Sequence, residues 1–369
     1  MKGSATQVRF PLEAFSRSGG MRVIIGIANA LADEGVRVEL VAPDFSMQPP
    51  WPLHPDVTLT TVPTTALPHR LRQLQWFQWL AVHGADDCDV VVSTFWRTMY
   101  WLSASCRLQR RRPMLVNLVQ GDDARSQIQE RQMSGLAKRV LFPLAQRSVQ
   151  LPSKTVLVSS WLQQSVGRQG DVIPNGVDRF VFFPAPPASV AKTEFVVGAV
   201  ARATAQKGWD TLLDTCARLL QHAAMNVRFV FAAPGELPMN EIPPAVASRL
   251  TVLQPRDDGS MRSFYQSLDA FVFCSMSEGF GLPPLEAMAC GVPVVSTDCG
   301  GVREFMDGQN GVLVPVGQPA LLAGALHEMW RLPARRQRMR DLGLMTAARF
   351  STDVQMQRYV QYFRGLLTA

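Results

Sequence analysis

Several things are missing from this 369-residue chain, and each absence narrows what it can be. No stretch approaches eighteen consecutive uncharged apolar residues, so the sequence offers no membrane-spanning helix. None of the six cysteines (Cys88, Cys106, Cys216, Cys274, Cys290 and Cys299) pairs as C-x-x-C. They are scattered through apolar runs, which favours buried reduced thiols over zinc ligands or disulfides. The N-terminal "MKGSATQVRFPLEAFSRSGG" has no apolar core of signal-peptide length, so a cytoplasmic protein is expected. No strand is followed by G-x-G-x-x-G with an acidic residue about twenty positions on, which argues against a dinucleotide-dependent oxidoreductase. Histidine is sparse, and His54, His69, His83, His222 and His327 have no motif context. No metal site is expected.

What is present describes a globular protein with ample core: 47% hydrophobic and 18% charged residues. Its length suggests two α/β domains of similar size. The net charge of +7 is unevenly held. Residues 1–180 carry 20 Lys and Arg against 14 Asp and Glu, the remainder 17 against 16. The basic half includes "RLQRRRP" (107–113) and "HRLRQLQWFQWL" (69–80), which combines two arginines with two tryptophans. An interfacial helix against anionic lipid is one reading. A solvated helix whose tryptophans pack on its own domain is the other, and the favoured one. Nucleic acid is not an expected partner, since no binding motif accompanies the charge.

Strand-like and helix-like segments alternate almost throughout, which predicts parallel sheets with helices on both faces. Prolines and small residues between 172 and 192 mark a linker, after which the alternation restarts at "EFVVGAVAR". Two doubly wound Rossmann-like domains facing a central cleft are therefore expected. In such sheets ligands bind at the carboxyl ends of strands.

Four loops at predicted strand ends bear on chemistry. In "SRSGGMR" (16–22), Gly19 and Gly20 before a helix would offer backbone N–H groups to an anion. In "VARATAQKGWD" (200–210), Arg202 and Lys207 are two fixed cations a loop apart, able to neutralise a diphosphate without a metal. "PNGVD" (174–178) reads as a turn tolerant of left-handed geometry. In "EGFGLPPLEAMACGVPVV" (278–295), Gly279 and Gly281 leave the backbone bare for phosphate oxygens. Pro283 and Pro284 fit a helix start, which places Glu286 in its first turn. A carboxylate there can accept two hydrogen bonds from a vicinal diol. Taken singly, each loop is also explained as an ordinary turn, and Glu278 as a solvated loop residue.

Taken together, the string "SEGFGLPPLEAMACGVPVVSTDCGGVREFMDGQNGVLV" resembles the signature of the retaining glycosyltransferases of family 4, group 1, which have the two-domain GT-B fold. "SGGMRV", "VLVSSWL", "VIPNGVD" and "VGAVARATAQKG" resemble the family's supporting loops, in the family's order. The resemblance implies an acceptor-binding domain over 1–180, with 351–369 packing back on it, and a donor-binding domain over 181–350. It implies a nucleotide-diphosphate sugar as donor substrate, no cofactor, and a glycan or lipid-linked acceptor in cell-surface polysaccharide synthesis. Peripheral contact with the inner membrane surface goes with that habit.

By the same resemblance, Arg202 and Lys207 hold the diphosphate, helped by the backbone of Gly279, Phe280, Gly281 and Leu282 and by Gly20 from the other domain. Glu286 binds the ribose, and Glu278 contacts the transferred sugar and steadies positive charge. The base lies near "LQPR" (253–256). Where many members have a histidine after an N-domain strand, this chain has Gln120, which can hydrogen-bond a sugar but cannot share a proton. Asp122 or Asp123, and Asn175, are further acceptor or sugar contacts. The competing readings are a GT-B nucleotide-sugar epimerase and a non-catalytic nucleotide-sugar binding protein.

Overall fold

The computed structural model describes residues 7–65, 68–122, 135–186 and 193–368. The chain divides into two compact units. One runs to Ile173 and takes back Gln355 onward; the other spans Pro174–Val354. The division falls before 180 because the residues after Pro174 pack into the second unit. Val177 bridges to Ser351, and the Phe182 ring meets Tyr265 edge-on at 6.0 Å.

The first unit is a seven-stranded parallel sheet of β1 (Gln7–Pro11), β2 (Arg37–Pro43), β3 (Val57–Val62), β4 (Val90–Ser93), β5 (Met114–Val119), β6 (Lys154–Leu157) and β7 (Asp171–Val172). Its order is β3-β2-β1-β4-β5-β6-β7. Strands such as β4, "VVVS", are buried along their whole length because helices cover both faces. The helix Gly19–Asp33 lays Val23, Ile24, Ile27 and Leu31 on the sheet, capped by Ser18, whose Oγ accepts the Met21 amide. It begins at Gly19, so the glycine pair forms its first turn instead of preceding it. The amides of Gly35 and Val36 return to the Ala32 and Leu31 carbonyls and end it.

The helix His69–His83 turns its aromatic residues inward. Trp76 is buried and stacks on Trp79 at 5.4 Å, while Phe77 stacks on Trp101 at 5.9 Å. The tryptophans thus pack on their own unit. The last helix, Thr352–Thr368, places Tyr359, Val360 and Phe363 in the first unit's core. Its Phe363 ring lies 6.3 Å from Phe10.

The second unit is a six-stranded parallel sheet of β8 (Phe195–Val200), β9 (Val227–Ala232), β10 (Leu250–Leu253), β11 (Ala270–Phe273), β12 (Val294–Thr297) and β13 (Val312–Val314). Its order, β10-β9-β8-β11-β12-β13, repeats that of the first unit. In each sheet the chain order reverses beside the first strand, between β1 and β4 and between β8 and β11. After β12 the chain makes a single 3-10 turn, Gly301–Glu304. One local expectation needs correcting. Neither Asn175 nor Gly176 is left-handed. The segment instead runs tightly along Ser351, whose carbonyl carbon would lie 2.4 Å from a Cβ on Gly176. Among the described residues no helix is long and apolar enough to cross a membrane.

Candidate functional site

In an open parallel sheet the ligand crevice forms where strand order reverses, outside the strands' carboxyl ends. In the second unit those ends belong to β8 and β11, and the loops leaving them are 201–208 and 274–281. They carry the residues singled out from sequence.

Lys207 ends a short 3-10 turn, Ala205–Lys207, and its Nζ lies 2.7 Å from Glu278 Oε1. Ser275 Oγ donates to the same oxygen at 2.7 Å, and the Thr297 hydroxyl donates to the Ser275 carbonyl. The Glu278 backbone is pinned as well, its amide donating to the Cys299 carbonyl and its carbonyl accepting from Gly301. Glu278 is therefore not a solvated loop residue: its side chain is 15% exposed, and that of Lys207 27%. Both charges are partly desolvated, so losing either leaves the other in an unfavourable place.

The two loops are fitted to each other by backbone. The Met276 amide donates to the Gln206 carbonyl at 2.8 Å. Gly208 is left-handed (φ 66°), and a Cβ there would sit 1.9 Å from the Cys274 carbonyl oxygen. Arg202, in the same loop, is exposed and makes no side-chain hydrogen bond or ion pair among the described residues.

Gly281, at φ 95°, caps the helix Leu282–Ala289. Pro283 and Pro284 sit in the first turn, where a missing N–H costs nothing. The helix starts ahead of the prolines because the left-handed glycine turns the chain early. Glu286 consequently falls in the second turn and not the first, too far along for much help from the helix dipole. Its carboxylate is held differently: the Tyr265 hydroxyl donates to Oε2 at 2.8 Å. Tyr265 is fully buried, its ring edge-on to Phe182 and Phe271. The Phe280 side chain is buried against Phe305 at 5.1 Å and Phe350 at 6.4 Å.

The structure thus joins Lys207 to Glu278 and sets Arg202 in the same loop as Lys207, while Glu286 has a partner of its own. Tyr265, Ser275 and Thr297 were not anticipated. Tyr265 lies in "SMRSFYQSL", whose periodicity reads simply as core, and nothing in the string marks its hydroxyl. The segment 253–256 leaves the carboxyl end of β10 and is largely exposed at Gln254 and Arg256.

No cysteine competes as a nucleophile. Burial pushes the Cys274 and Cys290 thiols up to about 12, and burial and the Glu278 charge drive Cys299 well up. Thiolates are correspondingly scarce at neutral pH. Among the described residues no three His, Cys, Asp or Glu side chains gather as a metal site.

In the first unit, the carboxyl ends of β1, β4 and β5 meet the start of the helix Gly19–Asp33 around a cavity of about 320 Å³. Gln120 lines it and donates from Nε2 to the Gly20 carbonyl at 3.1 Å. Asp122 is held by the Ser165 hydroxyl at 2.6 Å. Asp123 lies outside the described residues. Asn175 belongs to the second unit and is buried.

Two family models match the chain: "Glycosyltransferase Family 4" over residues 17–179 and "Glycosyl transferases group 1" over 194–331. The D-inositol 3-phosphate glycosyltransferase of Thermobifida fusca is 26% identical over 393 residues, covering 95% of this chain and 89% of that one. The phosphatidyl-myo-inositol mannosyltransferase of Mycobacterium leprae is 26% identical over 239 residues, 62% of this chain and 63% of its own. Among solved structures, sucrose-phosphate synthase from Thermosynechococcus elongatus superposes with TM-score 0.80 at 17% identity, over 98% of this chain and 99% of that one. Anabaena HepE in complex with UDP-glucose does so with TM-score 0.75 at 18% identity, over 97% and 99%. At these identities the structures establish the GT-B fold, two Rossmann-like domains each built on a parallel sheet.

Proposed function

Because this chain belongs to the family 4, group 1 glycosyltransferases, we propose that it moves a sugar from a nucleotide diphosphate to a hydroxyl acceptor, with retention and without a resident metal. The observation that carries the reading is the Lys207–Glu278 pair at the switch point of the second sheet, 2.7 Å apart, with the exposed Arg202 in the Lys207 loop.

The roles follow from where charge develops. Breaking the bond between sugar and diphosphate leaves an oxocarbenium-like sugar and a new negative charge on the leaving phosphate. Arg202, Lys207 and the amides at the start of the helix Leu282–Ala289 meet that negative charge, more strongly in the transition state than before it. Glu278, tied to Lys207 and Ser275, faces the positive charge on the sugar. Glu286 accepts from the ribose diol. A nucleophilic carboxylate is not needed if the acceptor hydroxyl attacks on the face the phosphate leaves, handing its proton to that phosphate. The HepE complex with UDP-glucose supports a nucleotide sugar as donor. The mannosyltransferase relative, whose name carries a phosphatidyl-inositol, supports a lipid-linked or glycan acceptor in cell-surface synthesis. Peripheral contact with an anionic membrane belongs to the same reading. On the helix His69–His83, exposed Arg70, Leu71 and Leu74 support it.

Two results test these roles. Glu286→Ala should weaken nucleoside diphosphate binding about 10- to 100-fold, the loss of hydrogen bonds to a charged acceptor. Tyr265→Phe keeps the packing and removes the hydroxyl that aims Glu286. It should reduce the preference for ribo- over 2′-deoxyribonucleoside diphosphates about fivefold, the worth of one hydrogen bond. Calorimetric titration across a panel of such pairs reads both, and an unchanged preference in Tyr265→Phe contradicts the positioning. Donor turnover should also survive exhaustive chelation, since the cations are side chains; abolition by chelator with rescue by magnesium contradicts a metal-independent mechanism.

A further inference from the structure

The first unit's cavity is furnished for one kind of ligand. Among the described residues that line it, Glu13 alone carries a formal charge. Arg97 lies behind that carboxylate and does not reach the lining. Its Nε and Nη2 hold Glu13 Oε1 and Oε2 at 3.1 and 3.0 Å, so both prongs of the guanidinium fork are used. Its plane also lies over the Phe95 and Trp96 rings, 5.1 and 5.7 Å from their centroids. Two of the three guanidinium nitrogens are engaged, and of the pair it is the carboxylate that lines the cavity.

Gln120 adds an independent sign. Its Nε2 donates to the Gly20 carbonyl, which fixes which way the amide faces. The other end, Oε1, is buried with no hydrogen-bond partner among the described residues. An unmet buried acceptor is unfavourable, and the loss is recovered when a ligand supplies an O–H. A sugar or polyol hydroxyl donates such a hydrogen; a phosphate dianion brings only acceptors. Glu13 likewise accepts and does not donate when ionised. The N-terminus of the helix Gly19–Asp33 would by itself favour an anion. Ser18 already accepts its Met21 amide, however, and Glu13 supplies negative charge in the same cavity. A second anion beside it would be repelled.

We propose that this cavity holds uncharged hydroxyls of a polyol or sugar acceptor, and that Glu13, by occupying Arg97 and facing the ligand, excludes acceptors bearing phosphate there. The assignment rests on the transfer reaction proposed above and names its acceptor class. It contrasts with the relatives named for inositol 3-phosphate.

The test uses myo-inositol and myo-inositol 3-phosphate as probes, with binding to the full chain followed by NMR at the Gln120 carboxamide and the Trp96 indole. Wild type should bind the uncharged probe about tenfold more tightly, the scale set by a like charge at close range. Glu13→Gln should erase or reverse that ratio, and Glu13→Asp should retain it. Equal or tighter binding of the phosphate ester to wild type overturns the proposal. So does silence at both signals with either probe, or a ratio that Glu13→Gln leaves unchanged. Nucleotide affinity in Glu286→Ala is read separately. If that affinity is unmoved while inositol still binds here, the donor assignment fails and the acceptor cavity stands.

Discussion

One methyl group added at Gly208 is expected to cost about 2–5 kcal/mol of stability: left-handed backbone costs an L-residue about 1–2 kcal/mol, and overpacking a rigid site adds about 1–3. The second contribution is not negotiable by a rotamer change. The new Cβ would stand 1.9 Å from the Cys274 carbonyl oxygen, main chain against which a side chain cannot yield. Either the loop carrying Arg202 and Lys207 or the loop carrying Glu278 must move. Gly208→Ala should therefore lower the denaturation midpoint of the second unit and weaken donor binding together. Gly324→Ala is the matching control. It lies within the helix Pro319–Arg331 with nothing within 4 Å of its Cβ, and should stabilise by about 0.5–1 kcal/mol. Equal midpoints for the two variants contradict the account of this loop pair.

Lys207→Ala carries the largest expected effect on chemistry. Removing one fixed cation from developing charge should lower kcat about 10²- to 10³-fold, with a smaller effect on donor affinity, because the interaction strengthens as the bond breaks. The variant also leaves Glu278 partly buried and without its ion-pair partner, so lost stability could imitate lost catalysis. A second change separates them. Lys207→Ala with Glu278→Gln removes the stranded charge and should recover the denaturation midpoint. Because Glu278 itself faces the sugar, the reference is Glu278→Gln alone, and the double variant should turn over well below it. Turnover equal to that of Glu278→Gln alone would show that Lys207 acts through structure alone.

Much of this was legible in the sequence, for reasons that differ from place to place. The alternation of β-branched runs with amphipathic helices was enough for two parallel sheets, because a strand buried on both faces and a helix buried on one leave different periodicities. The loops were legible because glycine, proline and charge at strand ends do jobs that few other residues can do. Helix phasing was harder. Glu286 is in the second turn because Gly281 starts the helix early, and a left-handed residue is not visible in the string. Gly176 looked like a turn glycine, yet it answers to the backbone of Ser351, far away in sequence.

The partners of the site residues were not legible at all. Lys207 and Glu278 were read as gripping different parts of a ligand, whereas they grip each other. Tyr265, Arg97 and Glu13 gain their significance only from tertiary contact. Glu13 and Arg97 are 84 positions apart, and no local pattern couples them.

The most direct test is a crystal structure with an intact nucleotide sugar, or with its nucleoside diphosphate. Diphosphate oxygens within hydrogen-bonding distance of Arg202 and Lys207, with the ribose against Glu286, are the expected result. A ligand bound with its phosphates remote from Lys207 and its ribose away from Glu286 would contradict the account at its root.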